Sequence, residues 1–188
     1  MKQFNGFEAK KAAGEREYLP VGGYVAKILD AKEITYDWGN AIQISFDVIE
    51  GQYKDFFKAD YNGQTAEDKK WRGTYRLREP VGDGSEKDEW TRRTFGNSVW
   101  AIEASNNGYH FDWDESKFKG KIVGVLFRNA EWEYNGNTGW RTECCALTDV
   151  DSIRAGKFRT PKDKPLKKKS ETASFSEVSP ADSDDLPF

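Results

Sequence analysis

The most regular alternation of hydrophobic and polar positions in the chain lies between residues 42 and 48. Ile42, Ile44, Phe46 and Val48 fall on one face of an extended segment, and the residues between them, ending with Asp47, are polar. A period of two residues is typical of a strand with one buried face and one solvated face. We therefore predict a strand here, with Asp47 on its solvated side.

Weaker patterns predict four further strands, at residues 24–36, 53–61, 121–128 and 140–147. The first follows a Pro/Gly turn at 19–23, and Trp38-Gly39-Asn40 is a hairpin signal before the strand at 42–48. Asn135-Gly136-Asn137 predicts the turn of a last hairpin, with a ribbon-like tip around Trp132 and Tyr134. The segment 69–78 is compatible with either a strand or a helix.

The period changes to a helical one between residues 90 and 105. Phe95, Val99 and Ile102 recur at helical spacing, and Asn106-Asn107-Gly108 supplies a stop signal. Shorter helical segments are predicted at 7–13 and 149–156. Three strands, a helix and two strands are the element order of an OB fold. We therefore predict a mainly β protein, a five-stranded OB-type Greek-key barrel with one helix between strands 3 and 4.

Composition and charge divide the chain into three parts. Hydrophobic residues make up 37% of it, below the roughly 45–50% of an average globular protein. From residue 157 the sequence is basic and then rich in Ser, Thr and Glu, which predicts disorder. We predict an N-terminal extension at 1–18, one OB domain at 19–157, and a disordered linker and tail at 158–188.

The net charge of −3 is unevenly distributed. Five acidic residues and no Lys or Arg lie in 170–188, and the rest of the chain carries 29 basic and 27 acidic residues. Aromatic residues are abundant at 14%, more than one core of ordinary size requires. This combination predicts a mildly basic body in which some rings face a ligand.

Aromatic and basic residues are interleaved in three clusters, and this interleaving suits single-stranded nucleic acid. Cations attract the phosphates, while ring faces stack on any base at roughly 1–3 kcal/mol per base. The predicted contact residues are Lys54, Phe57, Lys58 and Tyr61 in the first cluster, Lys69, Lys70, Trp71, Arg72, Tyr75, Arg76 and Arg78 in the second, and Arg128, Trp132, Tyr134 and Arg141 in the third. Core packing of any single ring remains an open alternative, for Phe56, Phe57 and Trp140 in particular.

The basic stretch 157–169 is a further candidate for weak phosphate attraction, and a solvated linker is the alternative.

The C-terminal end joins acidic side chains to an apolar tip and a free carboxylate. A basic-rimmed pocket of another protein can take Phe188 as an anchor, and Pro187 limits the conformational freedom lost on docking. The predicted partner-binding residues are Asp182, Asp184, Asp185, Leu186, Pro187 and Phe188. A solubilising acidic tail is the alternative.

These motifs resemble those of a known family. Bacterial single-stranded DNA-binding proteins commonly end in an acidic run followed by Asp-Ile-Pro-Phe, which residues 185–188 match with Leu in place of Ile. The segments 19–28 and 44–51 are similar to phage- and prophage-encoded single-stranded DNA-binding proteins of Firmicutes. The resemblance implies an OB fold, sequence-independent binding of single-stranded DNA in replication, recombination or repair, and recruitment of partner proteins by the tail.

The chemistry-bearing residues give little support for an enzyme. The only histidine, His110, lies among aromatic residues, where a structural role is typical, and no phosphate-binding Gly-rich loop is present. Asp112, Asp114 and Glu115 lack the spacing of a calcium loop and predict a solvated turn. Cys144 and Cys145 are adjacent, and strand neighbours point to opposite faces. We predict no catalysis, no metal and no cofactor.

The setting and the competing functions follow from the same features. Two cysteines without a disulfide framework, no leader-like N-terminus and no long apolar run predict a cytoplasmic protein. A recombination mediator that anneals strands and a carbohydrate-binding β-module remain alternatives. The sequence leaves open whether the protein is a homo-oligomer and whether it prefers DNA or RNA.

Overall fold

The computed structural model describes residues 17–166 of the 188-residue chain. These residues form five strands, three α-helices and a 3₁₀ helix at Glu115–Phe118. In chain order the elements are β1 (Gly22–Tyr36), β2 (Gly39–Val48), α1 (Phe56–Gly63), β3 (Thr74–Arg78), α2 (Glu86–Ser105), β4 (Ile122–Tyr134), β5 (Asn137–Thr148) and α3 (Val150–Arg154).

The five strands make one antiparallel sheet in the order β3-β2-β1-β4-β5. The central strand β1 pairs with β4 through its first half and with β2 along most of its length, and its register shifts between Ile28 and Asp30. The edge strands β3 and β5 approach each other, but no hydrogen-bonded ladder joins them within residues 17–166. The prediction of a mainly β fold with a helix between strands 3 and 4 is confirmed, and the sheet is not closed.

The predicted alternation along β2 is confirmed on its buried face. Ile44, Phe46 and Val48 have no solvent exposure, and they join residues of β1, β3 and β4 in the core. Rings of Phe46, Phe57 and Phe127 contact one another there, with centroids 5.6 to 6.3 Å apart. This aromatic cluster lies between the sheet and α1.

Asp47 is only 5% exposed, so its predicted place on the solvated face is wrong. Its carboxylate accepts the backbone N–H groups of Val48, Phe57 and Lys58 at 2.9, 3.0 and 3.1 Å. The residue before α1, Asp55, has a left-handed backbone and no capping hydrogen bond from its own side chain. Asp47 therefore caps α1 from the neighbouring strand. Burial raises the pKa of Asp47, and the three N–H groups oppose that shift.

The third strand lies later in the chain than predicted. Residues 53–61 form a turn and most of α1, so the predicted strand there is wrong. Strand β3 lies instead within residues 69–78, the segment whose sequence is compatible with either a strand or a helix. Close packing fixes the start of β3. A Cβ atom on Gly73 would lie 2.3 Å from the Phe46 carbonyl oxygen and 2.6 Å from the Phe57 ring. Only glycine allows the chain to pass this close.

The helix between β3 and β4 begins four residues earlier than predicted. The Ser85 side chain caps it by accepting the Asp88 N–H, and the buried Asp88 carboxylate accepts the N–H groups of Val81 and Gly82 at 2.7 and 3.0 Å. Arg92 also binds this carboxylate at 2.9 Å. These bonds to Asp88 fix the loop that leads into α2.

The two strands of the last hairpin are longer than predicted, and the chain after α3 continues along β4. β4 and β5 form a long ribbon that turns at Asn135 and Gly136, both with positive φ, and α3 follows as predicted. Residues up to Leu166 then lie along β4, where Lys164 makes a parallel bridge with Ala130. The first part of the segment predicted to be disordered from residue 158 therefore contacts β4 through Asp163, Lys164 and Leu166. The remainder of that segment, the extension up to residue 16 and the predicted helix at 7–13 lie outside the described residues.

No helix in the described part of the chain is long and apolar enough to cross a membrane.

Candidate nucleic-acid interface

A large open groove runs where the edge strands β3 and β5 face each other without pairing. It has a volume of about 1460 Å³ and is bordered by β3, by the β4–β5 ribbon and by one side of α2. The opening exists because the sheet does not close between its two edges.

Cations dominate the charged side chains of this groove. Among the described residues that line it, seven are Lys or Arg and only two, Glu17 and Glu143, are acidic. The cations are Lys70, Arg72, Arg76, Arg78, Arg128, Arg141 and Lys164. Such an excess of positive charge within one groove attracts a polyanion.

Strand β3 presents its cations by simple alternation. Tyr75 and Leu77 point into the core, while Arg76 and Arg78 point outward. Arg78 lies over the Trp38 ring at 4.4 Å from its centroid, and Arg76 lies over the Tyr36 ring at 5.3 Å. Within residues 17–166 neither arginine has a carboxylate within 4.0 Å. Their charges are therefore held in place by aromatic rings without being neutralised.

The two rings beneath these arginines support each other. Tyr36 and Trp38 flank the β1–β2 turn and stack with centroids 4.8 Å apart and an interplanar angle of 7°. Trp38 remains 47% exposed. The sequence predicted a turn at Trp38 and gave it no role at the site, since nothing in its local pattern indicates that β3 packs beside it.

The opposite wall belongs to the β4–β5 ribbon, in which paired residues share a face. Arg128 pairs with Glu143 and Ala130 with Arg141. Glu143 contacts both Arg128, at 3.3 Å, and Lys164, at 3.4 Å. Part of the positive charge on this wall is therefore neutralised, whereas Arg141 is exposed and has no carboxylate within 4.0 Å in the described chain.

The other predicted residues of the third cluster lie farther out on the ribbon. Trp132 packs flat on Gly139, where an added Cβ atom would lie 2.9 Å from the ring. Tyr134 is 71% exposed near the turn. Both share the ribbon face of Arg128 and Arg141, but neither lines the groove.

The second cluster supplies most of the predicted residues that the structure brings together. Lys70, Trp71, Arg72, Arg76 and Arg78 all line the groove. Trp71 is fixed by hydrogen bonds from its indole N–H to the carbonyls of Phe46 and Gly73 at 3.1 and 3.2 Å. Arg72 pairs with Asp60 at 2.9 Å, so its charge is partly neutralised.

Two predicted contact rings are core residues, and their predicted stacking on bases is wrong. Phe57 is 6% exposed within the aromatic cluster around Phe46, and Tyr75 is 7% exposed at the base of the groove. Burial raises the pKa of Tyr75 far above its usual value. A ring enclosed on all sides has no face to offer a base.

The remaining predicted residues lie outside the groove. Lys54 and Lys58 are exposed near the start of α1, and Tyr61 is half-buried on that helix against Trp71. Lys69 lies over the Tyr61 ring at 5.8 Å. None of the four lines the groove, and the predicted partner-binding residues 182–188 lie outside the described part of the chain.

Helix α2 contributes a wall that the sequence did not predict. Trp90, Thr91, Thr94, Asn97, Ser98 and Trp100 line the groove from this helix, and none of them is charged. Trp90 is 45% and Trp100 is 57% exposed. The available signal was their position off the stripe of Phe95, Val99 and Ile102 that packs against the core, which leaves two large rings without a place in it.

The two cysteines both line the groove, contrary to their predicted opposite orientation. The register of the ribbon shifts there, because Phe127 pairs with Cys144 and Leu126 with Ala146, which leaves Cys145 as a bulge. Burial raises the pKa of Cys145 to about 11 and that of Cys144 well above its usual value. Both thiols therefore stay protonated at neutral pH and are poor nucleophiles.

The residues of the acidic turn after α2 do not line the groove. Lys117 pairs with Asp112 and Asp114, and Asp114 caps the 3₁₀ helix. His110, expected to be structural, is exposed, with its Nδ1 3.9 Å from Glu103. Trp113 is 82% exposed and stacks on Phe95 with centroids 6.4 Å apart, and it does not line the groove.

No protein-family model matches the chain, and no curated protein sequence matches it either.

Proposed function

We propose that the protein binds single-stranded DNA without sequence specificity in the groove between β3 and β5. The observation that carries this proposal is the convergence of seven cations with exposed Trp rings in one open groove. Cations that follow the phosphates and rings that stack on bases are the two elements of single-strand binding.

The strand order supports an OB-type barrel as the scaffold. In that fold a central first strand is flanked by the second and fourth strands, and the third and fifth close the barrel. Here β1 lies between β2 and β4, and β3 faces β5 across the groove. A barrel left open at this seam gives a strand access to the space between its edges.

The charges on the groove favour DNA over sugars as the ligand. Exposed Trp rings also suit carbohydrates, which makes a carbohydrate-binding module the competing function. Neutral sugars have no charge to be attracted by Arg76, Arg78 and Arg141, whose charges are not paired with carboxylates in the described chain. A phosphate backbone does gain from them, with an affinity that falls as salt rises.

The biological role proposed for this activity is coating or annealing of single strands in replication, recombination or repair. The acidic, Phe-terminated end of the chain recruits partner proteins, as the resemblance to phage and bacterial single-stranded DNA-binding proteins implies. The protein acts in the cytoplasm of a bacterial host cell and performs no catalysis. Strand-annealing assays with and without residues 180–188 separate a mediator from a passive coat.

A titration tests the binding function itself. The protein is mixed with fluorescently labelled oligo-dT, with an equal length of duplex DNA, and with a soluble polysaccharide, each at several salt concentrations. We expect oligo-dT to bind tightest, with an affinity that declines as salt rises. Absence of oligo-dT binding, or polysaccharide binding that persists at high salt, contradicts the proposal.

A further inference from the structure

The positive charge of the groove is confined to some of its walls. All seven lining cations belong to β3, to the segment just before it, to the ribbon or to Lys164 beside the ribbon. The side formed by α2 carries none and presents two Trp rings with hydroxyl and amide groups between them. A single strand of DNA also has two chemically different sides, because its phosphates lie along one side and its bases project from the other.

The Trp rings of the groove also differ in what already contacts them. Trp38 is stacked on Tyr36 and lies under Arg78, and Trp71 contacts the Tyr61 ring and binds two carbonyls through its indole N–H. By contrast, Trp90 and Trp100 have no ring, cation or indole hydrogen-bond partner within residues 17–166. Roughly half of each ring is exposed.

We propose that bound single strands lie with their phosphates toward the arginines of the sheet edges and their bases toward α2, where Trp90 and Trp100 act as stacking platforms. This inference rests on the proposed function and specifies which wall receives which part of the ligand. It assigns a binding role to the helix between β3 and β4.

The spacing along the helix sets how the platforms are used. Trp90 and Trp100 are ten residues apart in α2, which corresponds to about 15 Å along the axis. Stacked bases in one strand are about 3.4 Å apart. The two rings therefore receive bases separated by several nucleotides, and a strand must follow α2 along half of its length to reach both.

A comparison with abasic DNA distinguishes the contribution of the α2 wall to binding from that of the basic walls. The binding of labelled oligo-dT and of an abasic strand of equal length is measured by anisotropy for the full chain and its Trp90→Ala and Trp100→Ala variants. Trp113→Ala is the matched control, because that ring is exposed but lies outside the groove. Thermal unfolding of each variant verifies that the fold is retained.

We expect wild-type protein to bind oligo-dT more tightly than the abasic strand. Each α2 substitution is expected to lower the affinity for oligo-dT about tenfold, with no change in abasic affinity or in the slope of affinity against salt. Trp113→Ala is expected to leave every value unchanged.

Two results overturn the inference while the proposed function stands. In the first, the α2 variants bind oligo-dT as wild type does. In the second, they lose affinity for oligo-dT and the abasic strand equally. If wild-type protein binds neither strand, the proposed function fails together with the inference.

Discussion

The guanidinium of Arg78 lies 4.4 Å from the centroid of the Trp38 ring, and both residues line the groove. The ring holds the arginine by a cation–π contact and leaves its charge unpaired with any carboxylate in the described chain. The same arrangement recurs at Arg76 and Tyr36. Two cations on one strand are thus held in place by rings, with their charges unpaired in the described chain.

Replacing these arginines tests their role. Arg76→Gln and Arg78→Gln are each expected to weaken oligo-dT binding about tenfold at low salt. Each is also expected to reduce the slope of log affinity against log salt by about 0.7, the value for one phosphate contact on a single strand. Titrations at four salt concentrations measure both quantities.

The control for the arginine variants is Lys119→Gln, which removes an exposed cation that does not line the groove. Unchanged slopes in the arginine variants, or an equal loss in Lys119→Gln, would mean that binding depends on overall charge and not on this wall.

Glu143 is expected to weaken DNA binding in the wild-type protein. Its carboxylate contacts both Arg128 and Lys164 in the groove, so Glu143→Gln releases two cations for phosphates. Affinity for oligo-dT is expected to rise about two- to fivefold, the size of a partly exposed ion pair. Anisotropy titration measures it, and a weaker affinity in this variant counts against the groove as the phosphate site.

Asp47 stabilises the fold through its capping of α1. Asp47→Ala leaves the buried N–H groups of Val48 and Phe57 and the partly buried N–H of Lys58 without their acceptor, and the free energy of unfolding is expected to fall by about 1–3 kcal/mol. Denaturant unfolding monitored by circular dichroism measures the change. Asp30→Ala is the control, since Asp30 is exposed and its side chain makes no hydrogen bond in the described chain. Equal stability of the two variants contradicts the capping role.

Asp88 predicts a pH dependence of stability. Hydrogen bonds from Gly82, Arg92 and Val81 lower the pKa of its carboxyl below the ordinary value of 3.8. A carboxyl whose pKa is lowered by folding stabilises the native state above the unfolded pKa and loses that contribution as pH falls through the folded pKa.

The stability difference between wild type and Asp88→Asn is therefore expected to be full at pH 6 and to shrink as pH falls below 3.8. Denaturant midpoints measured at several pH values test this expectation. If the stability difference between the two proteins stays constant down to pH 2, the charge of Asp88 contributes nothing to the stability of the fold.

The tail gives a prediction that is independent of the groove. Deleting Phe188 is expected to abolish capture of replication and recombination proteins from bacterial extract by the immobilised chain. The affinity for oligo-dT is expected to stay the same or increase, because the deletion removes no cation that could contact a phosphate. Capture that survives the deletion contradicts the anchor role.

The elements that the sequence predicted correctly are those in which burial of one face leaves a periodic pattern of hydrophobic residues. The alternation of β2 and the stripe through Phe95, Val99 and Ile102 in α2 are examples. The prediction from sequence failed at residues 53–61, because α1 depends on a cap that Asp47 supplies from the preceding strand, ten residues before Phe57. It also placed Asp47 in solvent, since no local pattern shows that contact.

The site was predictable to the extent that its residues are neighbours in sequence. Arg76 and Arg78 were identified because they lie in one basic and aromatic segment, with no need to know the fold. Trp38, Trp90 and Trp100 reach the groove only through the pairing of β2 with β3 and the position of α2. Phe57 and Tyr75 were wrongly predicted to contact the ligand. Their burial depends on the same kind of long-range contact, which the sequence does not show.

Photo-crosslinking tests the location of the bound strand most directly. Oligo-dT that carries 5-iododeoxyuridine at successive positions is crosslinked to the full chain, and the modified peptides are mapped by mass spectrometry. We expect crosslinks at the groove, on Trp71, Trp90 or Trp100. Crosslinks confined to the exposed Trp113 or to Tyr134 at the ribbon tip would contradict it.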